Sequence, residues 1–259
     1  MPVNSNNGIT ILKIGGSVIT DKRSEDGLAW EEEIVRIARE ISGFEGKLII
    51  VHGAGSYGHP QAKRYALTEG FHAEGAVVTH NAVKALNRIV VGILNDEGVN
   101  AISVHPMCCT VAKNGRISDM YLGSIRLMLE KGLVPVLHGD VVMDEVKGVS
   151  IISGDQVIPY LATQLKASRI GVGSAADGVF DDKGVTIPVI TSMNFDEIKA
   201  YIGGSAGTDV TGGMLGKVLE MLELGKTSSI TSYIFNATVV GSVSSFLNGE
   251  NIGTAIKDS

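Results

Sequence analysis

The chain has 259 residues, with 22 Lys and Arg against 28 Asp and Glu, a formal charge of −6, and only two cysteines, Cys108 and Cys109. A chain of this length buries roughly 70 to 75% of its unfolded surface, so its core needs neither metal nor disulfide to hold it. The acidic balance without a basic run argues against nucleic acid, which is bound through clustered cations; adjacent cysteines form neither a disulfide framework nor a CxxC metal motif. The N-terminus MPVNSNNG lacks a charged region followed by an apolar stretch, and the apolar runs are too short to span a bilayer. A soluble protein of the reducing cytoplasm, with no membrane partner, is expected.

Short apolar runs alternate with segments of helical period, the pattern of a mainly parallel sheet with helices on both faces. In chain order the predicted strands are Ile9 to Ile14, Lys47 to Val51, Ala101 to Val104, Val134 to Leu137, Arg169 to Val172 and Tyr233 to Asn236. Trp30, Ile34, Ile37, Ala38 and Ile41 fall on one helical stripe, and Val83, Leu86, Val90, Ile93 and Leu94 on another; both are predicted to face the core. Asn114-Gly115 between short β-prone runs predicts a hairpin over Cys109 to Ser118. A second hairpin joins Val141 and Val142 to Val149 to Ile152 through Asp144 to Gly148. With no repeat or linker, residues 1–259 read as a single domain, softly divided near Ala167.

Three glycine loops follow predicted strands or open helices. Lys13 precedes Ile14, Gly15, Gly16 and Ser17, so backbone amides and one ammonium converge at a strand end, where glycines let the main chain approach anionic oxygens. This is not the GxxxxGK[ST] pattern, and an ordinary strand-to-helix turn is the alternative. The second loop, HGAGSYGH from His52 to His59, is not GxGxxG in register and has no following acid to read a ribose. His59 stands where a helix is predicted to begin after Pro60, placed to donate a hydrogen bond to a bound phosphate. The third loop, Asp209-Val-Thr-Gly-Gly-Met, leads into a helix carrying Lys217 one turn in. Its ammonium either returns toward the helix N-terminus, where negative charge is favoured, or is a solvated surface lysine. Together, Lys13, Lys22 and Lys217 near glycine turns supply the charge neutralisation that phosphoryl transfer demands.

The runs ILKIGGSVITDK (Ile11 to Lys22), VHGAGSYGHP (Val51 to Pro60), ISGDQ (Ile152 to Gln156) and DVTGGMLGK (Asp209 to Lys217) occur in the order seen in isopentenyl phosphate kinases, and the resemblance covers nearly the whole chain. It implies a three-layer αβα sandwich with a mainly parallel central sheet, the amino-acid kinase fold. Residues 1–166 would form a phosphate-acceptor lobe and 167–259 a nucleotide lobe. The implied reaction is ATP-dependent phosphorylation of isopentenyl phosphate to isopentenyl diphosphate, in the alternative mevalonate route of isoprenoid biosynthesis, by a homodimer using ATP and Mg²⁺. The resemblance further implies that Lys13, Gly15, Gly16 and Ser17 hold the ATP phosphates and that Lys22 stabilises the transferred group. Gly55, Asp177, Gly212 and Lys217 then contact the nucleotide, and Ala54, His59 and Gly154 the acceptor phosphate. Where relatives carry a Thr-Asp pair before a DG(V/I) step, this chain has Ser174-Ala175-Ala176-Asp177-Gly178-Val179. The rival readings are a fosfomycin kinase and a catalytically silent nucleotide or phosphate sensor.

Asp155, an acid near two lysines, would orient an ammonium or help hold Mg²⁺ through water. His72, His80, His105 and His138 show no metal-ligand spacing and are expected in structural or surface roles, with no protein-bound transition metal. Val77, Val78, Val83 and Leu86, with Ile152 opposite, are candidates for the wall around the hydrocarbon tail, core packing being the alternative.

Overall fold

The computed structural model describes residues 8–21, 23–202 and 213–258. In chain order these form β1 (Ile9–Ile14), α1 (Gly16–Ile19), α2 (Glu31–Ser42), β2 (Lys47–His52), α3 (Gly55–Arg64), α4 (Ala73–Asp96), β3 (Ala101–Ser103) and α5 (Pro106–Cys109). There follow β4 (Thr110–Lys113), β5 (Arg116–Met120), α6 (Gly123–Glu130), β6 (Val134–His138), β7 (Asp140–Asp144), β8 (Gly148–Ile152), α7 (Gly154–Leu165) and β9 (Arg169–Ser174). The remainder is β10 (Val189–Ile190), α8 (Phe195–Ile202), α9 (Gly213–Ser228), β11 (Ser232–Asn236), α10 (Ser242–Leu247) and β12 (Thr254–Ile256).

The large sheet runs β10-β12-β11-β9-β1-β2-β6-β3, and all its pairings are parallel except β11 with β12. Strands covered on both faces read as near-continuous apolar runs, as ITILKI and KLIIVH do. Alternate residues divide between two cores. Ile11, Ile49, Val51, Leu137, Ile170 and Val172 pack with residues of α6, α7 and α9 on one face, and Leu12, Ile14, Leu48, Ile50, Val136 and Phe235 pack with α2, α4 and α10 on the other. Each fully buried Leu or Ile contributes roughly 1.5 to 3 kcal/mol relative to exposure. The result is the expected three-layer αβα sandwich. Because β1 pairs along its length with both β2 and β9, the two halves of the chain share one continuous sheet.

All six predicted strands are present, and β2, β6 and β9 run on to His52, His138 and Ser174. Of the first stripe, Ile34, Ile37, Ala38 and Ile41 are buried, whereas Trp30 caps α2 with non-helical backbone and is 41% exposed, outside the stripe it was expected to extend. On α4, Val83, Leu86, Val90 and Leu94 are buried and Ile93 is half-buried. Both hairpins form; Asn114 and Gly115 take φ of 53° and 83°, the left-handed pair of a two-residue turn that matches strand twist. A parallel β4–β7 pairing joins the hairpins into a second sheet, β5-β4-β7-β8. Asp144 fastens them by accepting from the Asn114 and Gly115 amides at 3.2 and 2.8 Å and from the Ser150 hydroxyl at 2.7 Å. No helix among the described residues is long and apolar enough to cross a membrane.

Candidate active site

Parallel strands deliver their following loops to one edge of the sheet. At that edge the loops after β1 and β2 meet backbone to backbone: a Cβ on Gly16 would lie 2.6 Å from the Gly55 nitrogen, and one on Gly53 2.5 Å from the Gly16 nitrogen. Only glycine allows this approach. The Gly15 amide donates to the Gly173 carbonyl and the Gly53 amide to that of Ile14, each at 2.9 Å. Thr20 ties the loops further, its hydroxyl donating to the Gly16 carbonyl at 2.7 Å and accepting from the Ser56 amide at 3.1 Å. Ser17 lies in α1. The helix predicted to begin after Pro60 begins at Gly55 instead, with Ala54 as its N-cap. Gly55, at φ +52° and against Thr20, makes the turn into it, and Pro60 forgoes only one bond near the helix start. His59 is therefore a half-buried residue inside α3.

The charged centre draws on three elements. Lys13, near the end of β1 and 4% exposed, places its Nζ 2.5 Å from Oδ1 of the buried Asp155 in the first turn of α7. Gly154 leaves the passage open, for a Cβ there would meet Lys13 Cε at 3.3 Å. From α9, Lys217 Nζ lies 3.7 Å from Asp155 Oδ2 and donates to the Gly213 carbonyl at 3.2 Å. One buried carboxylate thus stands between two ammoniums. Beside it opens a cleft of about 370 Å³ whose lining mixes polar residues, among them Ser150, Ser153, Asp155 and Gln156, with the apolar Leu67, Val149 and Ile151. Glu220 of α9, which also lines the cleft, pairs with Arg116 of the β4–β5 hairpin.

A second cleft of about 330 Å³ is lined by Asp177, Phe235, Asn236, Val240 and Ser242. Asp177, exposed after β9, accepts from Asn236 Nδ2 at 2.8 Å. The N-terminus of α10 beside it is already occupied: the Gly241, Val243 and Ser244 amides donate to Glu40 at 3.0, 2.9 and 3.1 Å. The structure therefore brings Lys13, Gly154 and Lys217 around Asp155 and packs Gly15 and Gly16 onto the loop holding Ala54 and Gly55, while Asp177 lines the second cleft. Lys22 and Gly212, with the rest of Asp209 to Thr211, lie outside the described residues. Of the tail candidates, Val83 packs against Gly58 of the second glycine loop, where a Cβ would meet its Cγ1 at 2.8 Å. Val77 is exposed, and Leu86 and Ile152 belong to cores on opposite faces of the sheet.

Behind the loop that follows β2 lies a row of histidines, of which His80, His105 and His138 were expected only in structural or surface roles. His52 and His138 end the adjacent strands β2 and β6, buried, with ring centroids 5.4 Å apart. His52 Nδ1–H donates to the Gly53 carbonyl and His138 Nδ1–H to that of Gly139, each at 3.0 Å. These bonds make each Nε2 an acceptor: Asn87 Nδ2 donates to that of His52 at 3.0 Å, and His105 Nδ1–H to that of His138 at 2.9 Å. His80 Nδ1 completes the group 3.1 Å from both carboxylate oxygens of Asp140. The signal was the repeated His-Gly step at two strand ends, His52-Gly53 and His138-Gly139.

A second proton on either buried ring would set donor against donor. Burial pushes His52 down to about 4, and burial with the neighbouring His52 pushes His138 down to about 3. In the unfolded chain both titrate near the usual value of about 6.5. As pH falls from about 6.5 toward 4 the unfolded chain takes up protons that the folded one refuses, so stability drops, by about 1.4 kcal/mol per pH unit for each ring. Urea midpoints measured at pH 7, 6 and 5 should fall steadily, and His138→Phe should flatten the slope; a midpoint constant over that range would contradict it.

The model of the amino acid kinase family matches residues 8–236. An isopentenyl phosphate kinase of Methanothermobacter thermautotrophicus is 40% identical over 95% of this chain and 98% of its own length; that of Methanocaldococcus jannaschii is 35% identical over 96% and 98%. A solved isopentenyl phosphate kinase superposes with a TM-score of 0.84 at 36% identity, covering 96% of this chain and all of that one. The isopentenyl phosphate kinase substrate complex gives 0.78 at 25% identity over 96% of this chain.

Proposed function

The chain belongs to the amino acid kinase family, and from that premise we propose that it transfers the γ-phosphoryl group of ATP to isopentenyl phosphate, giving isopentenyl diphosphate and ADP in isoprenoid biosynthesis. The observation that carries the reading is the buried Asp155 facing both Lys13 and Lys217 beside a cleft of mixed polar and apolar lining. Relatives matched over nearly their full length favour it over a fosfomycin kinase or a silent sensor. Purified protein given ATP and a panel of monophosphates should turn over isopentenyl phosphate best.

An acceptor phosphate oxygen attacks the γ-phosphorus as the bond from that phosphorus to the β-bridging oxygen breaks, and ADP leaves with the electron pair. The acceptor oxygen is largely ionised near neutral pH, so charge neutralisation matters more than proton abstraction. Lys13 and Lys217 neutralise the polyphosphate, with Gly16 and Ser17 offering amides and a hydroxyl to its oxygens, while Gly15, its own amide bonded to the Gly173 carbonyl, keeps the approach clear of a side chain. Asp155 holds the two ammoniums at fixed separation; with both its oxygens so engaged, its role is orientation rather than base catalysis. Ala54, His59 and Gly154 take the acceptor phosphate, and Gly55 and Asp177 contact the nucleotide. Lys22 and Gly212 keep the roles their motifs imply.

Mg²⁺ would arrive on the nucleotide, since no group of three His, Cys, Asp or Glu among the described residues could hold a metal ion. Bound there, it neutralises phosphate oxygens. Chelation should abolish turnover, and full activity in excess chelator would remove the ion from the reaction. The same reading has residues 1–166 serve the acceptor and 167–259 the nucleotide, in a cytoplasmic homodimer.

The hydrocarbon tail is assigned to Leu67, Val149 and Ile151, the apolar residues lining the cleft. Ile151→Ala should shift preference toward longer prenyl phosphates, each methylene accommodated being worth about 0.8 kcal/mol of burial. Comparing kcat/KM across a chain-length series checks this; an unchanged preference in Ile151→Ala and Leu67→Ala would put the tail elsewhere.

A further inference from the structure

His52 is fully buried, and the residue it holds is the neighbour of a proposed acceptor contact. Its Nδ1–H fixes the Gly53 carbonyl on the side of the sheet where α4 packs, because the ring lies against Asn87 of that helix. The Gly53–Ala54 peptide is trans, so the Ala54 N–H points the opposite way, toward the face that carries Lys13 and Asp155. The next strand repeats the device: His138 Nδ1–H holds the Gly139 carbonyl, the Gly139 amide donates to the His52 carbonyl at 3.0 Å, and a Cβ on Gly139 would stand 3.4 Å from the Gly154 nitrogen. Each ring works only as the Nδ1–H tautomer. The donors that select it come from outside the loops, from Asn87 on α4 and from His105 after β3.

We propose that His52, locked in its Nδ1–H tautomer by Asn87, is a positioning residue that aims the Ala54 amide at the acceptor phosphate, with His138 holding the adjoining Gly139 turn in the same way. The identity of the acceptor rests on the reading above; the aim of the amide does not. A core histidine that merely filled space would tolerate either tautomer and an apolar replacement of similar size. Here the amide of asparagine, which reaches the Nδ1 position of the ring, can replace the donor, and leucine cannot.

The test has two arms. In the first, steady-state kinetics of the full chain should show His52→Leu raising the KM for isopentenyl phosphate by about tenfold or more while that for ATP stays within about twofold. His52→Asn should recover most of the loss. In the second, nitrogen-15 NMR of histidine-labelled protein should show His52 as the Nδ1–H tautomer, and Asn87→Leu should let the Nε2–H form appear. Inorganic phosphate should shift the Ala54 amide resonance in the parent and less in His52→Leu. Should His52→Leu fail to fold, Asn87→Leu, which keeps the ring, carries the same comparisons. A parent that phosphorylates no monophosphate sinks the proposed function, and the NMR arm then decides the positioning role alone. Parent-like acceptor KM in a folded His52→Leu overturns the proposal, as does an Nε2–H His52 or an Ala54 response to phosphate that no substitution alters.

Discussion

Lys13→Met should lower kcat by on the order of 10² to 10³ at a smaller cost in stability than loss of the carboxylate, since methionine keeps the length of the stem, Lys217 still faces Asp155, and one preorganised charge is removed from the transferring group. Asp155→Asn should behave differently, although it alters the other half of the same contact. It strips the carboxylate from the buried Lys13 ammonium and from the half-buried Lys217, and stripping one partner from a buried ion pair typically costs about 3 to 5 kcal/mol of stability. Asp155→Asn should therefore lose much of its thermal stability as well as its activity. The double variant separates the two effects: Lys13→Met with Asp155→Asn should regain stability relative to Asp155→Asn alone and remain inactive. Thermal denaturation and single-turnover transfer on the four proteins complete the cycle. A double variant no more stable than Asp155→Asn would mean that the carboxylate serves some partner other than the Lys13 ammonium.

His59→Ala should raise KM for the phosphate acceptor and also lower kcat, because a donor on an oxygen that gains charge in the transition state is worth on the order of 10² to 10³ in rate. The residue is half-buried in the early part of α3, next to the loop whose Gly53 and Gly55 are packed on Gly16. A side chain there stands on a helix rather than on a turn, so its aim is set by the backbone of α3. His59→Gln keeps an N–H donor of similar reach and should recover part of the rate, with the KM for ATP nearly unchanged in both variants. Parent-like acceptor kinetics in His59→Ala would make the histidine a packing residue of α3 and relocate the acceptor.

How far these sites could be read from the sequence depended on the range of the forces that make them. The central strands were legible because burial on both faces leaves nearly uninterrupted apolar runs, and the Asn114-Gly115 turn because two left-handed residues in succession demand that chemistry. Strand β10 has two residues and β12 three, too few to show a period; only the neighbouring ladder makes them strands. The start of α3 escaped because Gly55 takes its backbone conformation against Thr20, thirty-five positions away in sequence. Trp30 kept helical spacing but fell one residue before the helix began. At the site, the glycine loops were visible because close backbone approach excludes other residues. That one carboxylate would face both Lys13 and Lys217 depends on a contact spanning 142 positions on one side. The histidine row was hidden for the same reason, four rings from three strand ends and a helix meeting only in the folded sheet.

Strand β12 lies between β10 and β11, and among the described residues β10 has no other neighbour in the sheet. The buried Thr254 hydroxyl of β12 also accepts from the Val179 amide at 2.8 Å and donates to the Ile187 carbonyl at 2.7 Å, stapling the segment that follows Asp177. During synthesis, then, β1, β2, β6 and β9 can assemble as soon as they emerge, but the edge that carries β10 stays open until residues 254–256 have cleared the ribosome. The side of the sheet built from β1, β2 and β6 can form while translation continues; the Asp177 side can close only afterwards. Ribosome-bound chains stalled before residue 254 should accordingly protect the first region from protease and leave the segment around residues 178–190 cleavable.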